Sequence, residues 1–422
     1  MNLILSSLKL LIEKQKEINY FFLVFLLLLI FGVFFYEAIG FDPLDEFFQI
    51  VLLGIFLLFV FWNRDLKFRR MGIFWLISFV FYAIYSFAIH SNAPSSILLD
   101  ITLQAKPFLG FFCVFYAGQV MSPKQKKVLR HVVLALFFVS VVVVAIGLLS
   151  GDLFRVLKWF FMHPSRYGTA MVLLSLVYLY TSKFNGKNKI LFLVMLSFGL
   201  FSAKGKFFGF YAFAVLFTII YSQRFYLRMS LRNLIFGLVA FLVVLFAAQE
   251  KVIYYSKGFF ADREETKDFL ARPVLYLTSG KILQDYFPFG SGFGSFATHA
   301  SRTNYSKIYE EYGIDKVWGL SRDYPYFIAD TYYPSLAQFG IVGVLLFILF
   351  WRAIIQMANR FKEREPDNPA YFFVVLIIVF LMIEMVADAT FTNNRGFIFM
   401  ILLGYLLNEY KSQEMLQRSN IV

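Results

Sequence analysis

The sequence predicts an all-α, polytopic transmembrane helix bundle with one large extracytoplasmic loop, and three observations predict it. Of 422 residues, 59% are hydrophobic, 21% aromatic and only 16% charged, with a mean hydropathy of +0.67, far from a soluble domain's balance. Apolar windows of about 17–20 residues recur along the chain, the length a helix needs to cross roughly 30 Å of hydrocarbon. Between them lies one long polar interruption, from Glu250 to Tyr333, the only stretch large enough to fold outside a bilayer. The alternating segments of about ten residues that a transmembrane barrel requires are not seen.

Taken in order, about twelve spans are expected: Tyr20–Tyr36, Phe47–Trp62, Met71–Phe87, Leu99–Val120, Val132–Leu149, Tyr167–Tyr180, Ile190–Ser202, Phe207–Tyr221, Leu234–Ala248, Tyr333–Trp351, Tyr371–Met385 and Gly396–Leu407. They divide the chain into a bundle of nine spans (1–249), the loop with its short helices (250–333), and three further spans with a C-terminal tail (334–422). Lys9, Lys14 and Lys16 precede the first span and no small-residue cleavage site follows it, so it reads as a retained helix. The single cysteine, Cys113, lies in an apolar segment, which leaves no intrachain disulfide to form.

The formal net charge of +13 would suit nucleic acid, but cytoplasmic loops of membrane proteins collect Lys and Arg for their own reason, resistance to translocation. The cations do gather in alternate connections: Arg64, Lys67, Arg69 and Arg70; Lys124, Lys126, Lys127 and Arg130; Lys183, Lys187 and Lys189; Arg224, Arg228 and Arg232; Arg360, Lys362 and Arg364. Those connections and both termini are therefore expected in the cytoplasm, with no nucleic-acid partner. The long loop is expected outside, together with Ser150–Arg166, the tight turn Ala203–Lys206, and Asp388–Arg395.

The cations left on the outer side need another reason. Arg155, Lys158, Arg166, Lys204, Lys206, Arg272, Lys281, Arg302, Arg322 and Arg395 could grip a phosphate or diphosphate, Arg through a two-pronged fork and Lys as a point charge. Snorkelling or surface pairing competes, for Arg272 with Asp262, Glu264, Glu265 and Asp268. Gly290, Gly292 and Gly294 permit close backbone approach to a ligand, or simply a turn. Tyr305, Tyr309, Tyr312, Trp318, Tyr324, Tyr326, Tyr332 and Tyr333 suit stacking on sugars as well as anchoring at a membrane interface. Asp330, just before the next span, is a candidate general base if burial raises its pKa, or a helix N-cap. Glu384 is an intramembrane acid, functional by default, although it and Asp388 could simply pair with Arg395. No His, Cys and carboxylate spacing suggests a metal site, and no cofactor is expected.

The chain resembles the O-antigen polymerase and O-antigen ligase superfamily of bacterial inner-membrane proteins. The likeness is carried by Phe41–Glu46, His163-Pro164-Ser165-Arg166, the turn Ser202–Lys206, and above all by Arg272, Pro288–Gly294, Tyr305–Tyr309 and Asp330 ahead of Phe339-Gly340-Ile341-Val342-Gly343. The resemblance implies a metal-independent glycosyltransferase of the GT-C type that moves a glycan from a polyprenyl diphosphate carrier at the outer face of the membrane. Lys204 occupies the place of a ligase arginine and Arg272 that of a second. The position of the ligase histidine falls at Ala329, next to Asp330, which favours the polymerase branch. Asp330, Arg272 and Lys204 would then be catalytic. Arg166, Lys206, Lys281, Arg302, Arg322, Gly290, Gly292, Gly294, Tyr305 and Glu384 would bind substrate. Donor and acceptor would be undecaprenyl-diphosphate-linked repeat units, with membrane lipids and a chain-length regulator as partners. An O-antigen ligase and a lipid-glycan flippase without chemistry are the alternatives.

Overall fold

A computed structural model of the chain describes residues 20–35, 51–58, 66–221, 271–364 and 369–419. The expected ninth span Leu234–Ala248, the segment Phe41–Glu46, the acidic residues Asp262–Asp268 and both chain ends lie outside the described residues.

Among the described residues every regular element is helical. Helix α1 (Tyr20–Leu27) runs on as a π-helical segment, Leu28–Phe34, and residues 51–58 are also helical. There follow α2 (Leu66–Ala88), α3 (Pro94–Ala117), α4 (Pro123–Leu149), α5 (Leu153–Phe161), α6 (Pro164–Thr181), α7 (Gly186–Ser197) and α8 (Gly205–Ile220). The loop contributes α9 (Ala271–Asp285), α10 (His299–Thr303) and α11 (Ile308–Glu311). A 3₁₀ segment Tyr333–Phe339 leads into α12 (Gly340–Arg364), then α13 (Ala370–Val386) and α14 (Asn394–Ser419). Among the described residues four stretches are long and apolar enough to cross a bilayer, Arg70–Ala88, Pro94–Ala117, Pro123–Leu149 and Tyr333–Glu363; Phe21–Phe34, Gly205–Ile219 and Ala370–Val386 are shorter apolar helices. The described residues thus form an all-helical bundle whose long apolar helices are those of a membrane protein.

Local sequence sets the ends. Pro94, Pro123 and Pro164 each stand in the first turn of a helix, where the missing N–H costs nothing. A reciprocal capping box, Ser122 with Gln125, starts α4. The connection Ser150–Arg166, expected to be a plain outer loop, holds the amphipathic α5, which buries Leu157 and Phe161 against the bundle. Helices α6 and α13, and α14 over residues 394–409, are buried nearly all round, and α3 over most of its length, whereas α2 turns Phe74, Ile77 and Ile84 outward. Apolar side chains exposed on a long helix are what lipid contact requires.

The loop has its own small core, including Leu275, Ile282, Phe296, Tyr309, Leu320 and Ile328. The glycine run ties that core to the bundle. Tyr85 Oη donates to the Gly290 carbonyl at 2.8 Å, Asn92 Nδ2 to the Gly294 carbonyl at 2.6 Å, and the Gly294 N–H to Asp100 Oδ2 at 2.7 Å. Gly290 has φ +81° and Gly294 φ +71°, the left-handed region that favours glycine. A Cβ on Gly290 would run into the backbone of Ala337, Gln338 and Gly340.

Candidate functional site

The loop sits over one end of the bundle, where α3, α6, α8, α12 and α14 begin and α13 finishes. A cavity of about 550 Å³ opens there, lined from the bundle by Gly32, Leu99, Asp100, Gln104, Lys106, Arg166, Asn394 and Arg395, and from the loop by Thr298, His299, Arg302, Ala329, Thr331 and Ser335. Four cations, Lys106, Arg166, Arg302 and Arg395, thus face one carboxylate, Asp100. Lys106 is buried, 3% exposed, and its Nζ donates to Asn394 Oδ1 at 3.4 Å. Arg302 Nη2 lies 2.9 Å from His299 Nδ1. Arg395 Nη1 and Thr331 Oγ1 are buried with no hydrogen-bond partner among the described residues. An unpaired buried donor costs about 1–3 kcal/mol, so these two mark positions where a bound acceptor would be stabilising.

Beside the cavity the charges are balanced. Lys206 Nζ donates to Glu384 Oε2 at 2.7 Å and Asp388 Oδ2 at 3.1 Å. Arg395 Nη2 donates to Asp388 Oδ1 at 3.0 Å, and Thr390 Oγ1 lies within hydrogen-bonding reach of both carboxylates. Burial pushes the Asp388 carboxyl up, but Arg395 and Lys206 overcome it and hold it well below the usual carboxylate range. Two cations and two carboxylates in mutual contact make a buried network. Breaking one arm of such a network leaves an uncompensated charge.

Arg272, in the first turn of α9, meets Asp330 directly: Nε donates to Oδ2 at 2.8 Å and Nη2 reaches the same oxygen. Its guanidinium also lies over the Phe327 ring, 5.8 Å from the centroid. Asp330 is half-buried. That burial raises its carboxyl above the ordinary value, while Arg272 pulls it back. The chain neighbours of Asp330, Ala329 and Thr331, line the cavity. Asp330 makes no cap for the following 3₁₀ segment, so of the two roles open to it in the sequence the cap is absent.

The structure therefore brings Arg272 and Asp330 together and sets Arg166 and Arg302 on the cavity. It places Lys206 and Glu384 in the buried network. Lys204 precedes α8 at its cap position and lies beside His163. Arg322 and Tyr305 belong to the outer surface of the loop, where Arg322 pairs with Glu310 at 3.2 Å and stacks 5.4 Å from the Tyr305 centroid. Lys281 is exposed on α9. Gly290, Gly292 and Gly294 are packed against α2, α3 and the 3₁₀ segment rather than against the cavity. Sequence reasoning passed over Asp100 and Lys106, although two ionisable residues inside the expected fourth span were a usable signal. No group of three or more His, Cys, Asp or Glu side chains converges as metal ligands would among the described residues. Comparisons with protein families and with curated proteins returned no match.

Proposed function

We propose that the protein is a polysaccharide polymerase, joining polyprenyl-diphosphate-linked oligosaccharide units at the outer face of a bacterial inner membrane through about twelve spans. The observation that supports this most directly is the cavity at the loop end, lined by four cations and one carboxylate, with the paired Arg272–Asp330 adjoining its lining residues Ala329 and Thr331. A diphosphate carries the opposite charge and the several acceptor oxygens that such a lining needs. As the anomeric bond breaks, negative charge grows on the leaving diphosphate. Cations fixed in a partly dry site stabilise that charge more in the transition state than in the bound donor, which is the difference that accelerates the step.

The ion pair gives the reading a sequence of events. A diphosphate arriving at Arg272 competes with Asp330 for the guanidinium. Once Arg272 turns to the phosphate, Asp330 loses the neighbour that holds its pKa down and becomes a stronger base for an acceptor hydroxyl. Its proton comes from the sugar hydroxyl that attacks the anomeric carbon; the bonding pair of the broken C–O bond leaves with the diphosphate.

Purified protein given lipid-linked repeat units in detergent, where no sidedness exists, is expected to lengthen the glycan, and Arg272→Ala is expected to reduce that lengthening to a small residual rate. Transport without lengthening in reconstituted vesicles would assign the cavity to a flippase. Transfer to lipid A core instead of to a second repeat unit would assign it to a ligase.

A further inference from the structure

From the Arg272–Asp330 pair a line of aromatic rings runs outward across the loop. Arg272 lies over Phe327. Phe327 meets Trp318 edge-on, centroids 5.5 Å apart at 65°. Trp318 is next to Tyr326 at 6.1 Å and 44°, and Tyr326 to Tyr324 at 6.3 Å and 36°. The inner ring is half-buried, but Trp318, Tyr324 and Tyr326 are 42%, 52% and 62% exposed. Three adjacent large rings left open to their surroundings cost free energy that a soluble surface normally avoids, so a contiguous patch of this kind marks a binding face.

What covers the patch is decided by its surroundings. The lipid-facing side of α2 shows what membrane contact looks like in this chain: Phe74, Ile77 and Ile84 exposed, with no charged residue from Met71 to Ala88. The rings of the loop instead stand among exposed Lys316, Arg322 and Asp323, whose charges hydrocarbon would exclude. A neutral glycan suits both features, since the apolar C–H face of a sugar packs on an aromatic ring while its hydroxyls stay solvated or bond to charged neighbours.

We propose that Trp318, Tyr326 and Tyr324 form a carbohydrate subsite that holds a glycan chain with its end at the Arg272–Asp330 pair. The identity of that glycan as acceptor or growing product rests on the function proposed above; the subsite itself does not. The track begins beside the acid that would take the acceptor's proton, and none of its rings lines the cavity that would hold the carrier. Donor head group and glycan chain therefore use separate surfaces.

The full chain in lipid nanodiscs is tested by saturation-transfer NMR with short oligosaccharides obtained by partial hydrolysis of the producing cell's surface polysaccharide. Transfer from aromatic protons to the sugar is expected, with Trp318→Ala and Tyr326→Ala together weakening binding roughly tenfold and Trp318→Phe retaining it. No transfer to the intact chain, or equal binding by the double variant, would overturn the subsite. So would quenching of Trp318 emission by brominated lipid, measured against Trp318→Phe, because it would put the rings in the bilayer. If the glycan binds through these rings but lipid-linked units are never lengthened, the subsite stands and the polymerase reading falls.

Discussion

The two ends of the bundle use the same residue types to opposite effect. Away from the loop, Lys126 pairs with Glu409 and lies 4.6 Å from the Tyr180 centroid, while Tyr180 Oη donates to Glu409 Oε2 at 2.7 Å. Lys362, fully buried, lies 4.5 Å from the Tyr221 centroid, and Lys189 lies 4.1 Å from that of Phe184. Cations there rest on aromatic faces and one acid. At the loop end they converge on a hollow in which they outnumber carboxylates and one guanidinium N–H is left unbonded. Enclosed charge that is satisfied holds helices together, whereas a buried donor with no acceptor among the described residues, as at Arg395 Nη1, is an invitation to an anion.

That contrast is most sharply tested at Asp330. Asp330→Asn is expected to lower turnover by roughly 10²–10⁴-fold, the range for losing a positioned base, with little change in donor binding; single-turnover assays separate the two. Turnover should rise with pH through the raised pKa of Asp330, because only the carboxylate accepts a proton. Since Arg272 lowers that pKa, the residual activity of Arg272→Ala should show its acid limb moved to higher pH. An unmoved limb would separate the two residues functionally.

Next in size is the buried network. Lys206→Met strands Glu384, which is 3% exposed, and should cost about 3–5 kcal/mol of stability, read as a fall in thermal midpoint in detergent. Adding Glu384→Gln should recover most of it, a coupling typical of charges in direct contact. Lys106→Met tests the hollow itself and should weaken binding of a soluble diphosphate by roughly 10–100-fold, as expected for one charge-assisted contact of about 1.5–3 kcal/mol. At the far end, Lys126→Ala removes the ion-pair partner of Glu409, whose side chain is 15% exposed, and should lower stability while leaving diphosphate binding unchanged. Were Lys126 to matter as much as Lys106, the distinction between the ends would collapse.

Much of the scaffold was legible because lipid imposes one simple rule, a long apolar run for each crossing. The expected segment Met71–Phe87 falls within α2 and Tyr371–Met385 within α13. The amphipathic α5 was missed because nine residues with two cations look like a connection when counted by hydropathy alone. The site was legible by residue and less so by partner. Arg272 was visible, but its acid was sought among the near neighbours Asp262–Asp268, whereas Asp330, 58 residues away, faces it. Lys204 and Lys206 looked equivalent in sequence; only the ends of α13 and α14 decide that Lys206 meets the acids. Lys106 was hidden because one lysine barely lowers the average of an apolar window, while its burial depends on Asn394 from the last helix.

The Gly294 contact with Asp100 has a consequence for how the hollow is filled. Asp100 lines the chamber and accepts the amide of the overlying loop, and Tyr85 and Asn92 fasten the same strip. Roof and floor share these hydrogen bonds, so any parting along that seam would have to break them, each at a net cost of about 0.5–1.5 kcal/mol, or about 1.5–3 kcal/mol where the partner is the Asp100 carboxylate. A chamber fastened in this way favours guests that fit its present dimensions.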